Sequence, residues 1–471
     1  METHLSQAHS SKELSSAEHS SKELRVVLYS HDSQGLGHTR RNLALAHSLA
    51  ASLPGLTGRT VTGLLVTGES QATRFDSPDD WDWVVLPGIS KGSDGYTPRN
   101  LAINQSKLIR LRSQIMDAVL SEFRPHLVVV DRHAFGVDRE LISALSELKK
   151  ARPDCKVVLG LREVLDTPKV ARREWNALGD LNRLREYFDE LWVYGDPAIH
   201  DPVKSGEVPA KLASMVRYTG YLADGRQSRR RTGVTGKPYV LTMAGGGSDG
   251  RSVLLTAAKA TVPHGYEHLI VTGPQMPKED RILIEQTAVS GTRVVSMVRD
   301  GLAEMREASA IVSMGGYNSV CEIMSTNTPA LIVPRVKPRQ EQLIRAQSLA
   351  HHQLMDLCHP EEFTPQVLTD WFDSVVGTPA QRLNVDRSGL QTVGGYAAEL
   401  LGLAVSTPQS GLLDQADPLA QADLLEPVVS PALSDFPTPL AVPTAQSSRP
   451  TQSTHPMQST RRNDWQTLAA V

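Results

Sequence analysis

The feature that most constrains the fold is an alternation of short β-branched runs and longer amphipathic segments, which occurs twice along the chain. Runs such as Leu127–Asp131 and Lys156–Leu161 are apolar on both faces, which is typical of central strands in a parallel sheet. Strands that alternate with helices predict a doubly wound α/β sheet. Two such series predict two Rossmann-like, doubly wound parallel-sheet domains that face a cleft.

The same alternation gives the boundaries of the predicted elements. The predicted strands of the first series are Arg25–Ser30, Val61–Val66, Trp83–Leu86, Leu127–Asp131, Lys156–Leu161 and Glu190–Tyr194. Those of the second series are Tyr239–Met243, His268–Thr272, Arg293–Ser296, Ala310–Ser313 and Ala330–Val333. The predicted helices of the first series are Thr39–Leu53, Leu101–Phe123 and Asp138–Ala151. Leu108, Leu111, Ile115 and Val119 recur at helical spacing and are expected to form a buried stripe.

Composition divides the chain into segments. The predicted segments are a disordered leader (1–24), an N-terminal Rossmann-like domain (25–222), a linker (223–237), a C-terminal Rossmann-like domain (238–377), a C-terminal helix (378–405) and a disordered tail (406–471). The leader repeats the polar sequence HSSKEL, and the tail is rich in Pro, Ser, Thr and Gln, so neither offers an apolar face to bury. The linker contains a run of arginines, which could touch an acidic lipid surface but is expected to be solvated.

Charge and cysteine content exclude several classes of protein. With 49 basic and 52 acidic residues the net charge is −3, without the positive excess of a dedicated nucleic-acid-binding protein. The three cysteines are too far apart to form a CxxC metal pair or a disulfide framework. No apolar run is long enough to span a membrane, and the N-terminus lacks the apolar core of a secretory signal. These features predict a cytoplasmic protein.

The first candidate site segment joins the first strand to the first helix. Gly35 and Gly37 allow a tight turn that brings the backbone close to a ligand. His38 is expected near the helix N-terminus, where the positive end of the dipole keeps the imidazole neutral and able to accept a proton. The alternative is a histidine that caps the helix or packs in the loop. Asp131, at the end of a strand, is a second candidate for the catalytic base.

Two glycine-rich segments of the second domain are candidate phosphate-binding loops. The first, after the strand that ends at Met243, contains Gly246, Gly247 and Ser248. The second contains Gly315, Gly316, Asn318 and Ser319 and opens a helix, whose free amides and dipole favour an anion. Glu322 follows one turn later, where its carboxylate could accept hydrogen bonds from a ribose diol. The alternative for Glu322 is a carboxylate that only stabilises the first turn.

A fourth segment, residues 333–342, combines cations with amide and acid side chains. Arg335, Glu341 and Gln342 could bind a phosphate and sugar hydroxyls together, although such a loop could equally be solvated. No metal site is predicted, since the Asp80–Asp82 acidic pair precedes a strand instead of ending one. Acceptor contacts are expected near residues 91–99 and 132–135, on loops of the first domain.

Taken together, the four segments resemble the GT-B glycosyltransferases of family 28, a group that includes the lipid I N-acetylglucosaminyltransferase. The resemblance covers roughly residues 25–376. Its motifs are GLGH at 35–38, LALA at 43–46, GGSDG at 246–250, the 315–322 segment, Pro329, the VP pair at 333–334, the EQ pair at 341–342 and Ala346. The opening sequence YSHDSQGLGHTRRNLALAHSL is also similar to an uncharacterised bacterial group of predicted glycosyltransferases.

The resemblance implies a metal-independent, inverting transfer of a hexosyl or N-acetylhexosaminyl group from a UDP-type nucleotide sugar. In that family the residue matching Glu322 holds the ribose, those matching Glu341 and Gln342 contact the donor sugar, and glycine loops hold the diphosphate. The implied partners are this donor and a carbohydrate, glycolipid or small-molecule acceptor, with possible peripheral membrane contact, no nucleic acid and no cofactor. The departures are Arg40 and Arg41 in place of an apolar pair, and Arg345 in place of an asparagine.

Two other functions stay open from the sequence. A UDP-sugar epimerase would have the same architecture, but it needs several acid and base carboxylates around the sugar and too few lie at strand ends. A catalytically inactive scaffold of GT-B type would keep the fold without the chemistry, although such a scaffold has no chemical need for His38, Glu322 or the glycine loops.

Overall fold

A computed structural model describes residues 22–31, 36–92, 95–228 and 236–403. The predicted tail, residues 1–21 of the predicted leader and residues 229–235 of the predicted linker lie outside the described residues, as does Gly35. The predicted end of the leader, at residue 24, is wrong. Strand β1 (Glu23–Tyr29) begins two residues earlier than expected, because Leu24 is apolar and packs in the core.

The first domain is built on a parallel sheet. Besides β1, its strands are β2 (Thr60–Thr67), β3 (Trp81–Val85), β6 (Leu127–Asp131), β7 (Lys156–Arg162), β8 (Glu190–Tyr194) and β9 (Val216–Tyr218). Their order across the sheet is β3-β2-β1-β6-β7-β8-β9, and every pair of neighbours is parallel. The order reverses between β1 and β6, as expected for a doubly wound sheet. A small antiparallel hairpin of β4 (Ile89–Gly92) and β5 (Gly95–Pro98) lies beside it and was not predicted.

Helices cover both faces of this sheet. They are α1 (Gly37–Thr57), α2 (Gln105–Phe123), α3 (Ile142–Ala151), α4 (Pro168–Ala177) and the single turn α5 (Leu184–Tyr187). The core on one face of the sheet packs under α1, and the core on the other face packs under α2 and α3. The sheet and its two helical layers therefore form the three-layer domain that the alternation predicts.

The predicted buried stripe of α2 is confirmed at Leu108, while Ile115 and Val119 are only partly buried against the core and the prediction is wrong at Leu111. The buried residues of this helix are Leu108, Arg112, Met116 and Leu120, whereas Leu111 is 38% exposed. Arg112 turns inward because Glu140 is buried opposite it, and its Nε and Nη2 donate to the two carboxylate oxygens at 2.6 and 2.8 Å. A hydrophobic periodicity cannot reveal a core position that a buried ion pair occupies.

The second domain repeats the arrangement of the first. Its strands are β10 (Tyr239–Met243), β11 (Glu267–Val271), β12 (Thr292–Val295), β13 (Ile311–Ser313), β14 (Ala330–Ile332) and β15 (Asp356–Leu357), in the order β12-β11-β10-β13-β14-β15. All neighbouring strands are again parallel. Its helices are α6 (Arg251–Ala258), α7 (Lys278–Thr287), α8 (Gly301–Glu307), α9 (Tyr317–Met324), α10 (Glu341–His351) and α11 (Pro365–Val375). The two predicted Rossmann-like sheets are thus confirmed.

The last described helix, α12 (Gly389–Leu400), returns to the first domain. It packs on α1, and Gly394 lies so close to Ser52 that a Cβ on the glycine would stand 2.2 Å from the serine Oγ. Farther along, the Tyr396 hydroxyl donates to the backbone carbonyl of Tyr218 at 2.9 Å. The chain therefore crosses between the domains twice, which joins them at a common core that contains residues of both.

Candidate functional site

Three of the four predicted segments lie at the points where the strand order of each sheet reverses, and the fourth follows the next strand, β14. In the first domain, His38 follows β1 and Asp131 ends the neighbouring strand β6. In the second, the loop 244–250 follows β10, and the loop 314–316 follows its neighbour β13. Parallel sheets bind ligands at such points, beyond the carboxyl ends of the strands. The structure therefore places both halves of the predicted site where a doubly wound sheet can hold a ligand.

His38 and Asp131, the two candidate bases, form a single unit. The Nδ1 of His38 lies 2.5 Å from Oδ2 of Asp131, and 22% of the His38 side chain is exposed. Arg41, one turn farther along α1, also contacts this carboxylate, with its Nε donating to Oδ1 at 3.0 Å. Since a carboxylate can only accept, His38 donates from Nδ1, and in the neutral form of the ring Nε2 carries the lone pair. The spacing of one helical turn between His38 and Arg41 explains how both reach Asp131.

Asp131 stays ionised in this setting. Burial of the carboxyl group opposes ionisation, but the Arg41 guanidinium and the hydrogen bond from His38 hold the pKa of Asp131 well below its usual range. Both carboxylate oxygens are occupied, and the side chain is fully buried. Asp131 can therefore orient His38, but it offers no free oxygen to a substrate.

Two further histidines and a tyrosine lie beside His38. The rings of His31 and His133 are 4.0 Å apart between centroids, and His31 Nε2 is 3.1 Å from the hydroxyl of Tyr96, on the unpredicted hairpin. Burial lowers the pKa of His31 to about 3 and that of His133 well below its usual value, so both rings are neutral near pH 7. This cluster forms part of the wall around His38, in the region where the sequence predicted acceptor contacts.

The helices that follow the glycine loops of the second domain begin without side-chain caps. Neither α6 nor α9 has a side-chain N-cap, and Ser248 is exposed at the loop before α6. In the second loop the amide of Gly315 donates to Oγ of Ser313 at 3.3 Å. The glycines are required by geometry at two positions. Gly247 has φ +92° and a Cβ there would stand 2.3 Å from the carbonyl of Thr272, while Gly315 has φ +74° and lies against Ile332. Both loops can therefore bring amides and a helix dipole close to an anion.

The rest of the predicted glycine residues fall around these turns. Gly246 is exposed, Gly316 precedes the first turn of α9, and Ser319 lies in that turn and is partly exposed. Asn318 is buried and donates from Nδ2 to the carbonyl of Gly37 at 2.8 Å. This hydrogen bond crosses from the second domain to the residue that precedes His38.

Glu322 is buried and faces two arginines. It pairs with Arg40 of α1, and its Oε1 lies 3.6 Å from Nη1 of Arg226. The other terminal nitrogen of Arg226, Nη2, donates to Oδ1 of Asn318 at 3.1 Å. Arg226 belongs to the predicted linker, but its side chain is only 6% exposed, so the prediction of a solvated linker is wrong at this residue. Both arginines contact the carboxylate that was predicted to hold a ribose, so they would have to make room for it.

In the predicted fourth segment, Arg335 contacts Glu341 and Gln342 of the same segment and Asp249 of the first glycine loop. Arg335 donates to Asp249 at 2.8 Å and to Glu341 Oε1 at 2.6 Å, and its backbone amide donates to Gln342 Oε1 at 2.9 Å. Glu341 is buried, and its Oε2 has no hydrogen-bond partner among the described residues. The charge of Arg335 is therefore already compensated within the second domain, while Glu341 keeps one oxygen free.

Two arginines of the second domain, Arg339 and Arg345, form ion pairs with carboxylates of the first domain. Arg345 of α10 contacts both oxygens of the buried Glu163, at 2.6 and 3.2 Å. Arg339 contacts Glu174 at 2.6 Å and Asp166 at 3.3 Å. The sequence singled out Arg345 only as a departure from the family pattern, and the structure shows what it contacts.

Sequence reasoning missed Arg41, Arg162 and Arg226 as site residues. Arg162 is the last residue of β7, a position that the predicted strand Lys156–Leu161 stopped short of. The rule that singled out Asp131, a polar residue at the end of a parallel strand, could have found it. No local signal marks Arg226, because its contacts depend on how the linker folds back onto α9.

Two searches of the described residues gave negative results. In the ranges that the structure describes, no group of three or more His, Cys, Asp or Glu side chains could hold a metal ion. No helix in the same ranges combines the length and the apolar character needed to cross a lipid bilayer.

Comparison with protein families identifies the second domain. Residues 241–385 match the family model described as the glycosyltransferase family 28 C-terminal domain. This match contains the last three residues of β10, both glycine loops, Glu322 and the 333–342 segment. No curated protein matches the sequence significantly.

Solved structures show the same fold across most of the chain. The crystal structure of the glycotransferase of kitacinnamycin has a TM-score of 0.51 and 15% identity, and the match covers 81% of this chain and 97% of that one. The structure of Phytolacca americana UGT2, complexed with UDP-2fluoro-glucose and pterostilbene, has a TM-score of 0.50 and 13% identity, with 81% and 98% covered. At these identities the likeness is one of fold, and it confirms the predicted GT-B architecture.

Proposed function

The chain is a GT-B glycosyltransferase of the family 28 type, and from this premise we propose that it transfers a hexosyl group from a UDP-type nucleotide sugar to an acceptor hydroxyl, with inversion and without a metal ion. One observation carries the proposal. Gly37 and Arg40, on either side of His38, both contact α9 of the family 28 domain, through Asn318 and Glu322. The candidate base therefore lies directly beside the candidate donor site.

In the proposed reaction His38 is the base and Asp131 positions it. The Nε2 lone pair of His38 takes the proton of the acceptor hydroxyl, and Asp131 stabilises the imidazolium that forms. The acceptor oxygen attacks the anomeric carbon from the side opposite the diphosphate. The bond from that carbon to the diphosphate oxygen breaks, and the diphosphate leaves with the electron pair, so the configuration at the carbon inverts.

The second domain is proposed to hold the donor. The free amides before α6 and α9 stabilise the charge that develops on the leaving diphosphate, a contribution that is commonly the largest in such reactions. Glu322 accepts hydrogen bonds from the ribose hydroxyls once Arg40 moves aside. Glu341 and Gln342 contact the donor sugar, as the family resemblance implies, and Glu341 has the free oxygen for this purpose.

The test combines nucleotide binding with product formation. We expect UDP to stabilise the wild-type chain against heat in the presence of EDTA, and Glu322→Gln to weaken UDP binding by about tenfold, since it removes a charged hydrogen-bond acceptor. His38→Ala should lower the rate at which UDP is formed by about 100-fold or more, measured with the UDP-hexose that the wild type uses fastest. The affinity of this variant for UDP should be unchanged.

Other outcomes would contradict this assignment. If UDP gives no stabilisation, the donor site is wrong, and if His38→Ala keeps the wild-type rate, His38 is not the base. Nuclear magnetic resonance of the products distinguishes inversion from retention at the anomeric carbon. An epimer of the donor sugar formed without acceptor would identify the epimerase alternative instead.

A further inference from the structure

Arg162 differs from the other arginines of this site in having no partner. Arg40, Arg41, Arg132, Arg226, Arg335, Arg339 and Arg345 each pair with a carboxylate. The side chain of Arg162 makes no hydrogen bond or ion pair with any described residue, and its Nε is buried. A guanidinium left uncompensated in a partly buried position costs stability, so its presence here calls for a ligand that supplies the missing negative charge.

The carboxylate that acts most strongly on Arg162 is Glu341, in the second domain. Its charge favours the protonated form of Arg162, and the charge of Arg162 in turn lowers the pKa of Glu341. The two side chains nevertheless form no ion pair, and Glu341 Oε2 is itself without a hydrogen-bond partner among the described residues. Glu341 therefore does not supply the hydrogen-bond acceptor that the guanidinium of Arg162 lacks.

Arg162 keeps its charge under physiological conditions. Burial lowers the pKa of its guanidinium to about 10, helped by the positive charges of Arg345, Arg41 and Arg132. The group is therefore still protonated near pH 7, and each of those three neighbours is already neutralised by its own carboxylate. The free charge of this part of the site is that of Arg162.

The location of Arg162 favours the acceptor over the donor. It ends β7, the strand next to β6, which ends in Asp131, and the register pairs Asp131 with Gly160, two residues before Arg162. An anion on Arg162 therefore lies on the same domain and the same sheet edge as the base unit. The amides proposed for the donor diphosphate follow β10 and β13, in the other domain.

We propose that Arg162 binds a carboxylate or phosphate group of the acceptor, so that the acceptor is a hydroxylated acid or a phosphate ester. The proposal rests on the function proposed above, which supplies the reacting hydroxyl and the donor. The planar guanidinium can hold either anion through two parallel hydrogen bonds, which would also fix the orientation of the nearby hydroxyl toward His38.

The experiment measures binding to the full-length protein saturated with UDP, by calorimetry at constant ionic strength. The probes are glucuronate and glycerol 3-phosphate, and their neutral controls are glucose and glycerol. We expect at least one anionic probe to bind about tenfold or more tightly than its neutral control. Arg162→Met should abolish that preference, and Arg162→Lys should retain part of it because the charge is kept but the second hydrogen bond is lost.

Three results would overturn the proposal. The first is that neither anionic probe is preferred by the wild type, and the second is that Arg162→Met keeps the preference. The third is that Arg162→Met loses affinity for UDP but not for uridine, or for UDP-glucuronate but not for UDP-glucose, which would assign the anion to the donor.

UDP binding keeps this test separate from the test of the general function. Wild-type and Arg162→Met proteins that bind UDP equally are both folded and both have an intact donor site. Failure of the wild type to bind UDP contradicts the proposed function itself, whereas equal UDP binding without anion preference contradicts only the role of Arg162.

Discussion

Asp131 and Glu322 are both buried carboxylates. Each pairs with an arginine of α1, and these two arginines are adjacent in the sequence, yet the burial of the two pairs differs. Arg41, which holds Asp131, is 3% exposed, and both residues belong to the first domain. Arg40, which holds Glu322, is 39% exposed, and the pair crosses from one domain to the other. The first pair is a fixed part of the base unit, while the second is placed so that a ligand can replace the arginine.

The physical reason is the difference in desolvation. Removing one partner from a fully buried pair leaves an uncompensated charge where water cannot reach it. Arg40 is hydrated when it leaves Glu322, and Arg226 stays beside the buried carboxylate, so Glu322 keeps a cationic partner and the loss of stability is small. The following predictions test this difference, beginning with the largest expected effect.

Arg41→Gln should lower the free energy of unfolding by about 3–5 kcal/mol, because it strands the charge of Asp131 in the core. The matched control is Arg40→Gln, on the adjacent residue of α1, which should change stability by about 1 kcal/mol or less. Urea unfolding of both variants at pH 7 measures the difference. Equal losses in the two variants would contradict the proposed distinction.

Asp131→Asn should change how stability depends on pH. The pKa of Asp131 is lower in the folded than in the unfolded chain. Its contribution to stability is therefore complete above about pH 4 and disappears as the pH falls through the folded-state pKa. The free energy of unfolding should be measured for both proteins from pH 7 to pH 3. We expect the variant to be less stable than the wild type by a constant amount down to about pH 4, and this difference in stability to become smaller at lower pH. A deficit that grows as the pH falls would show that the sign of the pKa shift is wrong.

Arg40→Gln should raise the affinity for UDP by a few-fold, the smallest of these effects, because it frees Glu322 from a competing partner without disturbing the core. Calorimetric titration with UDP measures this gain, and titration with uridine shows whether the ribose alone is sufficient for it. Weaker binding of UDP to the variant would mean that Arg40 assists the donor instead of competing with it.

Much of the fold was accessible from the sequence. Leu127–Asp131, Glu190–Tyr194 and Tyr239–Met243 have the predicted bounds, because continuous apolar runs bounded by polar residues mark central parallel strands clearly. The β4–β5 hairpin and the short strands β9 and β15 were missed. They are edge or isolated elements of two to four residues, too short to carry a periodic signal.

The site was accessible in part, for a related reason. Segments that follow strand ends can be located from the sequence, so the positions of His38, Asp131 and the glycine loops at the ends of strands were predicted, while their roles stay predictions. Which side chains contact one another cannot be predicted in this way. That Arg40 reaches Glu322, 282 residues away, and that Arg345 reaches Glu163, 182 residues away, depends on how the two domains pack.

The sequence by itself determined the two doubly wound sheets and the four segments that follow their strands, because strand and helix periodicity and glycine turns are local properties of the chain. Only the tertiary structure decided which arginines are neutralised and that Arg162 has no partner among the described residues. Charge compensation is a property of three-dimensional distance and burial, and residues far apart in the chain supply the opposing charges.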